Sequence, residues 1–527
     1  MTTSRTKKKF GTVTFVGGGP GDPGLLTVRA AELLADADVV VADVGRLGRL
    51  LDTRRPDADV VDTSGADSAD LAKGYLAAAK DGRRVVRVFT GDPTLFCAFA
   101  TEADACAKAK VPFELVPGVS SVLAVPAYAG VPVTDKKTHA VHVVDAGPDA
   151  PEPDWPALAA AGGTVVLLNC AKSIGKVAGA LVEHGRRADT PVAVTVDGTT
   201  TQQHTIVSTL DAVERDAGTV AGDAVVVVGD VVKLRDKLSW WETKPLFGWR
   251  VLVPRTKDQA GALSEQLVGY GAIPVEVPTI AVEPPRTPQA MDRAIRGLVS
   301  GRYAWVAFTS VNAVKAVREK LEELSLDARA LAGVKVACVG DQTAEAVRSW
   351  GIRPELVPTG AQSSDGLLDE FPRYDDVYDA LDRVFLPRAD IATDTLLAGL
   401  TDRGWQIDDV TAYRTVRAAP PPADIREAIK TGGFDAVLFT SSSTVRNLVG
   451  IAGKPHTSSV IAVIGPQTAQ TAEELGLRVD VTAPKPSAAL LAEALADYGR
   501  ERRDNDEPLP PGKANRTKAA ARLKKSR

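Results

Sequence analysis

The sequence predicts an α/β protein made of two double-lobed domains. Three observations predict it. Apolar runs alternate with helical patterns almost throughout the 527 residues, which is the signature of βα units. The phrase Phe308-Thr309-Ser310, followed by Val339-Gly340-Asp341-Gln342-Thr343-Ala344, returns as Phe439-Thr440-Ser441 followed by Ile464-Gly465-Pro466-Gln467-Thr468-Ala469. Between the two halves, 236–249 gathers Trp240, Trp241, Phe247 and Trp249, large aromatics of the kind that bury a contact between domains.

Bulk properties bound the function. The length exceeds what one core supports and suggests roughly three or four compact units. Apolar residues are 44% and charged residues 25%, as in ordinary globular proteins. A net charge of −4 gives no nucleic-acid signal. The four cysteines, Cys97, Cys106, Cys170 and Cys338, form no CxxC pair. That argues against a disulfide framework or zinc site and fits a reducing cytoplasm. The five histidines show no metal-site spacing. No apolar run reaches the ~18 residues of a membrane span, and the basic start lacks the apolar stretch of a secretory signal. From Lys513 to Arg527 there are seven Lys/Arg and no acid, so 501–527 reads as a disordered basic tail.

Element by element, 12–16 reads as a strand ending in a glycine-rich turn, and 25–35 as a helix. Further strands are expected at 39–42, 84–88, 113–116 and 139–144, then at 164–168, 191–196 and 224–228 after a Pro- and Asp-rich loop. This gives two unequal lobes, roughly 11–135 and 136–235. The second half opens with a strand at 250–253. Two proline-bounded stretches, 278–285 and 412–420, read as a pair of linkers rather than core strands, because proline is poor in central strands. Two crossings mean that the chain leaves one lobe, builds the other and returns.

The first motif is Val16-Gly17-Gly18-Gly19-Pro20-Gly21-Asp22-Pro23 before Leu25-Leu26-Thr27. Glycines permit close backbone approach and positive φ. Pro20 and Pro23 interrupt any dinucleotide fingerprint, and the GK[ST] of a Walker loop is missing. The full set is more specific: this string, then Asp38-Val39-Val40 before Asp43, Thr90-Gly91-Asp92-Pro93, Val116-Pro117-Gly118-Val119-Ser120-Ser121, and Pro126 through Pro132. It resembles the tetrapyrrole methylase family, nearest to uroporphyrinogen-III C-methyltransferase, over 11–243. The resemblance implies S-adenosyl-L-methionine held between two lobes by Pro20, Thr90, Gly91, Asp92, Leu95, Ser120, Ser121, Asn169 and Gly198. It also implies Asp43 as the acceptor of the proton that C-methylation of a pyrrole releases. The sequence departs from the family at several basic positions: Val44 stands for an Arg, 61–65 lacks a Lys, and Thr134-Asp135-Lys136 and Asp145-Ala146-Gly147 replace Thr-His-Arg and Thr-Gly-His.

The second set is 251–255 with Gln259-Ala260, the two repeated phrases, Ser363-Ser364 before Leu367, Ala412-Tyr413-Arg414-Thr415, and 483–487. In this order it resembles uroporphyrinogen-III synthase over 249–500, with one lobe from 249–279 plus 417–500 and the other from 284–411. The resemblance implies closure of linear hydroxymethylbilane with inversion of ring D, without a cofactor. Tyr413 is then the acid near the leaving hydroxyl, and Ser310, Thr343, Ser441 and Thr468 are hydroxyls lining the cleft. A phenol of pKa ~10 is a weak acid, so holding the chain ends together is the larger effect. Substrate carboxylates are expected at the helix starts after Gly340 and Gly465. Thr343 and Thr468 read equally as helix caps. Arg255 and Arg388, at strand ends, read as anion contacts or as surface charge.

The leading expectation is therefore a bifunctional enzyme of tetrapyrrole synthesis. The implied partners are hydroxymethylbilane, uroporphyrinogen III, hydroxymethylbilane synthase and a second copy through the methylase domain, with no nucleic acid and no membrane. The alternative is a synthase whose first half is a degenerate binding or docking module. A two-lobed periplasmic-type binding protein is a more distant reading.

Overall fold

A computed structural model describes residues 10–48, 50–220, 222–254 and 257–505. The chain divides into two compact units, the first built mainly from residues up to Trp249 and the second mainly from Arg250 to Tyr498.

The first unit holds two five-stranded sheets. Strands β1 (Val13–Gly17), β2 (Val39–Ala42), β3 (Asp59–Asp62), β4 (Val85–Phe89) and β5 (Phe113–Val116) form a parallel sheet in the order β3-β2-β4-β1-β5. The inner strands β1, β2 and β4 are buried along their whole length, as expected where helices cover both faces of a parallel sheet. Strand β3 is exposed throughout. Its sequence, Asp-Val-Val-Asp, carries too short an apolar run to be legible as a strand. Strands β6 (Val141–Asp145), β7 (Thr164–Leu168), β8 (Pro191–Val196), β9 (His204–Thr209) and β10 (Ala224–Val228) form a mixed sheet in the order β6-β7-β10-β8-β9.

Two of the four aromatics near the end of this unit pack differently from expectation. Trp240 and Trp241 stack edgewise or tilted on Tyr128 at 5.0 and 4.8 Å between centroids. The Trp241 indole donates to the Thr200 carbonyl at 2.8 Å. These aromatics are thus part of the first unit's own packing.

The second unit also holds two five-stranded sheets. Strands β11 (Arg250–Pro254), β12 (Ile273–Val277), β18 (Ala436–Phe439), β19 (Val460–Val463) and β20 (Val481–Thr482) run in the order β12-β11-β18-β19-β20. Strands β13 (Ile280–Glu283), β14 (Trp305–Phe308), β15 (Lys335–Cys338), β16 (Arg383–Ala389) and β17 (Gln406–Arg417) run in the order β13-β17-β16-β14-β15. Each repeated phrase is a strand–turn–helix joint at the carboxyl end of a parallel strand: β14 and β15 in one lobe, β18 and β19 in the other.

The paired linkers are strands after all. Residues 406–417 form one continuous strand. Its first part pairs parallel with β16, and 414–417 pair antiparallel with β13. The prolines that argued against a strand lie beyond its end, at Pro420, Pro421 and Pro422, so no ladder bond is lost. Arg388 pairs with Thr411 but Ala389 pairs with Tyr413. Ala412 is therefore an extra residue, a bulge of the kind that re-aims a side chain.

The four cysteines carry no disulfide. Among the described residues no helix is long and apolar enough to cross a membrane. The last described helix, Ala488–Asp504, runs through the first residues expected to be tail; positions from 506 onward, and Arg255, lie outside the described residues.

Candidate functional site

In the first unit three strand ends meet backbone to backbone. The Gly19 and Gly91 amides and carbonyls exchange hydrogen bonds of 3.3 and 2.8 Å. A Cβ on Gly17 would lie 2.4 Å from the Gly118 backbone, and one on Gly118 would lie 2.3 Å from the Gly91 carbonyl oxygen. These glycines are required by each other. Gly91 also has φ 71°. A Cβ there would sit 3.6 Å from the Ser121 amide and 3.8 Å from its hydroxyl. The side chain's place over the first turn of the helix Ser121–Tyr128 is thus left as a cradle of polar groups, which fits a small polar ligand such as an adenosyl group.

Asp92 serves this construction. Its carboxylate accepts from the Thr94 amide at 2.8 Å, the Thr94 hydroxyl at 2.5 Å and the Gly118 amide at 2.9 Å. Burial alone would raise its pKa, but these bonds outweigh it and hold the group below the usual carboxylate range. What Asp92 offers a ligand is main chain. Thr90 and Pro20 are half-buried beside it, and Leu95 packs against the apolar cluster around Val122 and Val125. Ser120 caps the helix Ser121–Tyr128 by accepting from the Val122 amide at 3.3 Å. Gly198 comes from the other sheet; a Cβ on it would meet Val125 at 2.5 Å. Asn169, with φ 60°, donates to Asp145 at 2.9 Å. Both line a separate cleft of about 790 Å³ together with Phe96, Gly147, Asp149 and Glu152. Among the described residues no lysine or arginine lines it.

Asp43 caps the short helix Val44–Leu47, accepting from the Arg46 amide at 3.1 Å. Arg46 lies 3.4 Å from its other oxygen and 2.7 Å from Asp223. Arg46, two residues past Val44, is thus the basic group beside Asp43.

In the second unit a cleft of about 1420 Å³ is lined by the β13 linker, one face of the helices Val311–Glu323 and Asp341–Ser349, and Tyr413. Contrary to expectation, Ser310, Thr343, Ser441 and Thr468 are not among its lining residues, being turned into helix caps or buried. Tyr413 is 7% exposed and belongs to the apolar core of its lobe. Its hydroxyl lies 3.0 Å from Ser310 Oγ. Ser310 in turn caps the helix Val311–Glu323, accepting from the Ala313 amide at 3.2 Å. The bulge at Ala412 and the N-cap at Ser310 therefore bring together two residues 103 apart in sequence.

Ser441 is the equivalent cap in the other lobe, in a reciprocal capping box with Thr444. Thr343 and Thr468 are not caps. Gly340 and Gly465 occupy those positions, and both threonines are buried on the helices they begin. Nor are those helix starts bare anion sites. The Asp341 amide donates to Gln362 Oε1 at 3.2 Å, and Pro466 has no amide hydrogen. Arg388 is an internal brace held by Asp409 at 2.6 Å and Asp394 at 3.0 Å. Cleft residues that sequence reading missed include Asn312, Lys315, Lys320 and Gln342. They lie within or beside the repeated phrases and carry no motif of their own.

Two family models match, "Uroporphyrinogen-III synthase HemD" over 261–493 and "Tetrapyrrole (Corrin/Porphyrin) Methylases" over 12–214. The "Porphyrin biosynthesis protein HemD" of Ruminiclostridium josui is 31% identical over 508 residues, covering 93% of this chain and 99% of that protein. The chain belongs to the HemD porphyrin biosynthesis family. Its halves are a methylase unit and a synthase unit of tetrapyrrole biosynthesis. The "S-adenosyl-L-methionine-dependent uroporphyrinogen III methyltransferase" of Methanosarcina barkeri is 38% identical over 242 residues, covering 44% of this chain and 95% of that protein. Among solved structures, a uroporphyrin-III C-methyl transferase from Thermus thermophilus complexed with S-adenyl homocysteine is 30% identical. It covers 42% of this chain and 94% of its own, with a TM-score of 0.38.

Proposed function

We propose that the synthase unit, 249–500, closes hydroxymethylbilane to uroporphyrinogen III with inversion of ring D, and that the methylase unit, 11–243, methylates the product toward precorrin-2. The observation that carries the first reading is Tyr413 on the cleft wall, with its hydroxyl 3.0 Å from Ser310 Oγ. A phenol held there can protonate the leaving hydroxyl of a linear tetrapyrrole. The cleft then keeps the two chain ends together while the ring closes. Ser310, Ser441, Thr343 and Thr468 act in this reading through the helix starts they terminate or support.

In the methylase unit the cradle formed by Thr90, Gly91, Ser120 and Ser121 would hold S-adenosylmethionine, with Pro20, Leu95 and Gly198 closing around it. The bound cofactor supplies an electrophilic methyl group. The chain's own part is to orient it, exclude water and accept at Asp43 the proton left on the methylated pyrrole. A supply of hydroxymethylbilane by its synthase, and a homodimer through this unit, belong to the same proposal and rest on family resemblance.

One observation favours the narrower reading, in which only the synthase is active. The cleft beside Asn169 is lined by Asp145, Asp149 and Glu152, an unfavourable wall for an acceptor rich in carboxylates. Incubating the full chain with hydroxymethylbilane and S-adenosylmethionine separates the two. Methylated uroporphyrinogen III is the expected product. Unmethylated uroporphyrinogen III alone leaves the narrower reading, and uroporphyrinogen I alone removes the synthase assignment.

A further inference from the structure

A strained loop in the methylase unit is held from a distance. Asp197 and Thr199 have φ of 49° and 65°, and a β-branched residue seldom adopts this region. Thr199 is nonetheless 1% exposed. Its amide donates to Gln203 Oε1 at 2.7 Å, and its hydroxyl oxygen accepts from the Asp22 amide at 3.0 Å. Asp22 follows Pro20 in the glycine-rich turn, and Gly198 in the strained loop packs on Val125. The loop therefore touches both elements that build the cofactor cradle.

What fixes Gln203 is Glu242. Its Oε1 accepts from Gln203 Nε2 at 2.9 Å and from the Thr205 hydroxyl at 2.6 Å, and its Oε2 accepts from Arg235 at 2.9 Å. Glu242 and Arg235 are each 14% exposed. A group receiving donors on both oxygens must itself donate nothing, which a carboxylate satisfies and an amide does not. The neighbouring Trp241 bonds the Thr200 carbonyl and stacks on Tyr128, whose hydroxyl donates to Asp22 at 2.7 Å. The segment thus grips the strained loop and the glycine turn at once.

We propose that Glu242 is a positioning residue for cofactor binding: through Gln203 it holds Thr199 and Gly198 against the glycine-rich turn and so sets the width of the S-adenosylmethionine cleft. This rests on the reading of the first unit as a methylase that binds that cofactor. Glu242 lies outside every motif of the cleft and touches none of the residues assigned to it.

The test is equilibrium binding of S-adenosylhomocysteine to the full chain by calorimetry, well below the melting temperature. Glu242→Gln turns an amide N–H toward an incoming donor and is expected to weaken binding about tenfold or more. The paired change Gln203→Glu with Glu242→Gln reverses the donor and acceptor of that bond, keeps an acceptor for Arg235 and lets Thr205 turn its proton to Thr195 Oγ1 at 3.1 Å, and is expected to recover affinity. Gln203→Met, which cuts the link while leaving Arg235 paired, is expected to reproduce the loss if Glu242→Gln does not fold. Unchanged affinity in both single variants, with only a lowered melting temperature, overturns the proposal. Failure of the unsubstituted chain to bind S-adenosylhomocysteine overturns the cofactor reading beneath it.

Discussion

The two units present their ligands with different materials. In the methylase unit the candidate cradle is main chain: Gly17, Gly91 and Gly118 touch one another, and the one acidic side chain among them, Asp92, is consumed in holding the loop. In the synthase unit the candidate cleft is broad, and the groups proposed to act are side-chain hydroxyls: Tyr413 on its wall and Ser310, 3.0 Å from the Tyr413 hydroxyl. A site made of backbone tolerates changes beside it but not an added atom within it. A site made of hydroxyls keeps its shape when one is removed and loses only what that group did.

The sharpest way to break this comparison is Gly118→Ala. The new Cβ would lie 2.3 Å from the Gly91 carbonyl oxygen and 2.6 Å from Gly17 Cα, and neither backbone atom can swing aside. A cost of at least about 3 kcal/mol is expected for the methylase unit, with loss of S-adenosylhomocysteine binding in a calorimetric titration. Retained binding with little change in melting would show that the glycines are not mutually required.

Next in size is Tyr413→Phe. Removing a weak acid from the leaving group is expected to slow uroporphyrinogen III formation about tenfold or more, leaving the melting temperature nearly unchanged because the ring still fills the core. An unaltered steady-state rate would reduce Tyr413 to a packing residue.

Ser310→Ala should have a smaller effect on rate, with a loss of about 1 kcal/mol in stability from the missing helix cap. Combined with Tyr413→Phe, its effect on rate should be less than additive, since the two hydroxyls share one contact. Full additivity in the double-mutant cycle would mean that the 3.0 Å contact has no kinetic meaning.

The glycine motif was legible in the sequence because Gly17 and Gly118 answer backbone contacts that no other residue permits and Gly19, Gly21 and Gly91 take positive φ. The repeated phrase was legible for a related reason: a strand, a turn and a capped helix impose small and hydroxyl residues at fixed places. Other parts were not. The bulge at Ala412 leaves no mark in composition, and it decides where Tyr413 points. Strand β3 has too few apolar residues to stand out. The link from Glu242 through Gln203 and Thr199 to Asp22 joins segments far apart in the chain, and no local pattern announces it. Trp241 and Trp249 at the boundary are buried as expected, Trp240 is not, and Tyr128, the partner of Trp240 and Trp241, could not be read from proximity in sequence.

The smallest expected effect concerns acid. Asp92 titrates below its unfolded value of about 3.9. Its contribution to loop stability is therefore complete above that value and is lost as pH falls through its lower folded pKa. In the unsubstituted chain S-adenosylhomocysteine affinity should weaken as pH falls through that range, whereas Asp92→Asn, which sets an amide N–H against the Gly118 or the Thr94 donors, should carry the loss at every pH and so flatten the acid limb. A limb of unchanged shape would assign the acid sensitivity to another group.

The central claim is that one chain carries two separate chemistries, one held by backbone and one by hydroxyls. The most direct test measures S-adenosylhomocysteine affinity and the rate of uroporphyrinogen III formation on the same preparation of full-length Tyr413→Phe. Closure should slow while cofactor affinity stays equal to that of the unsubstituted chain. A fall in both together would contradict the claim.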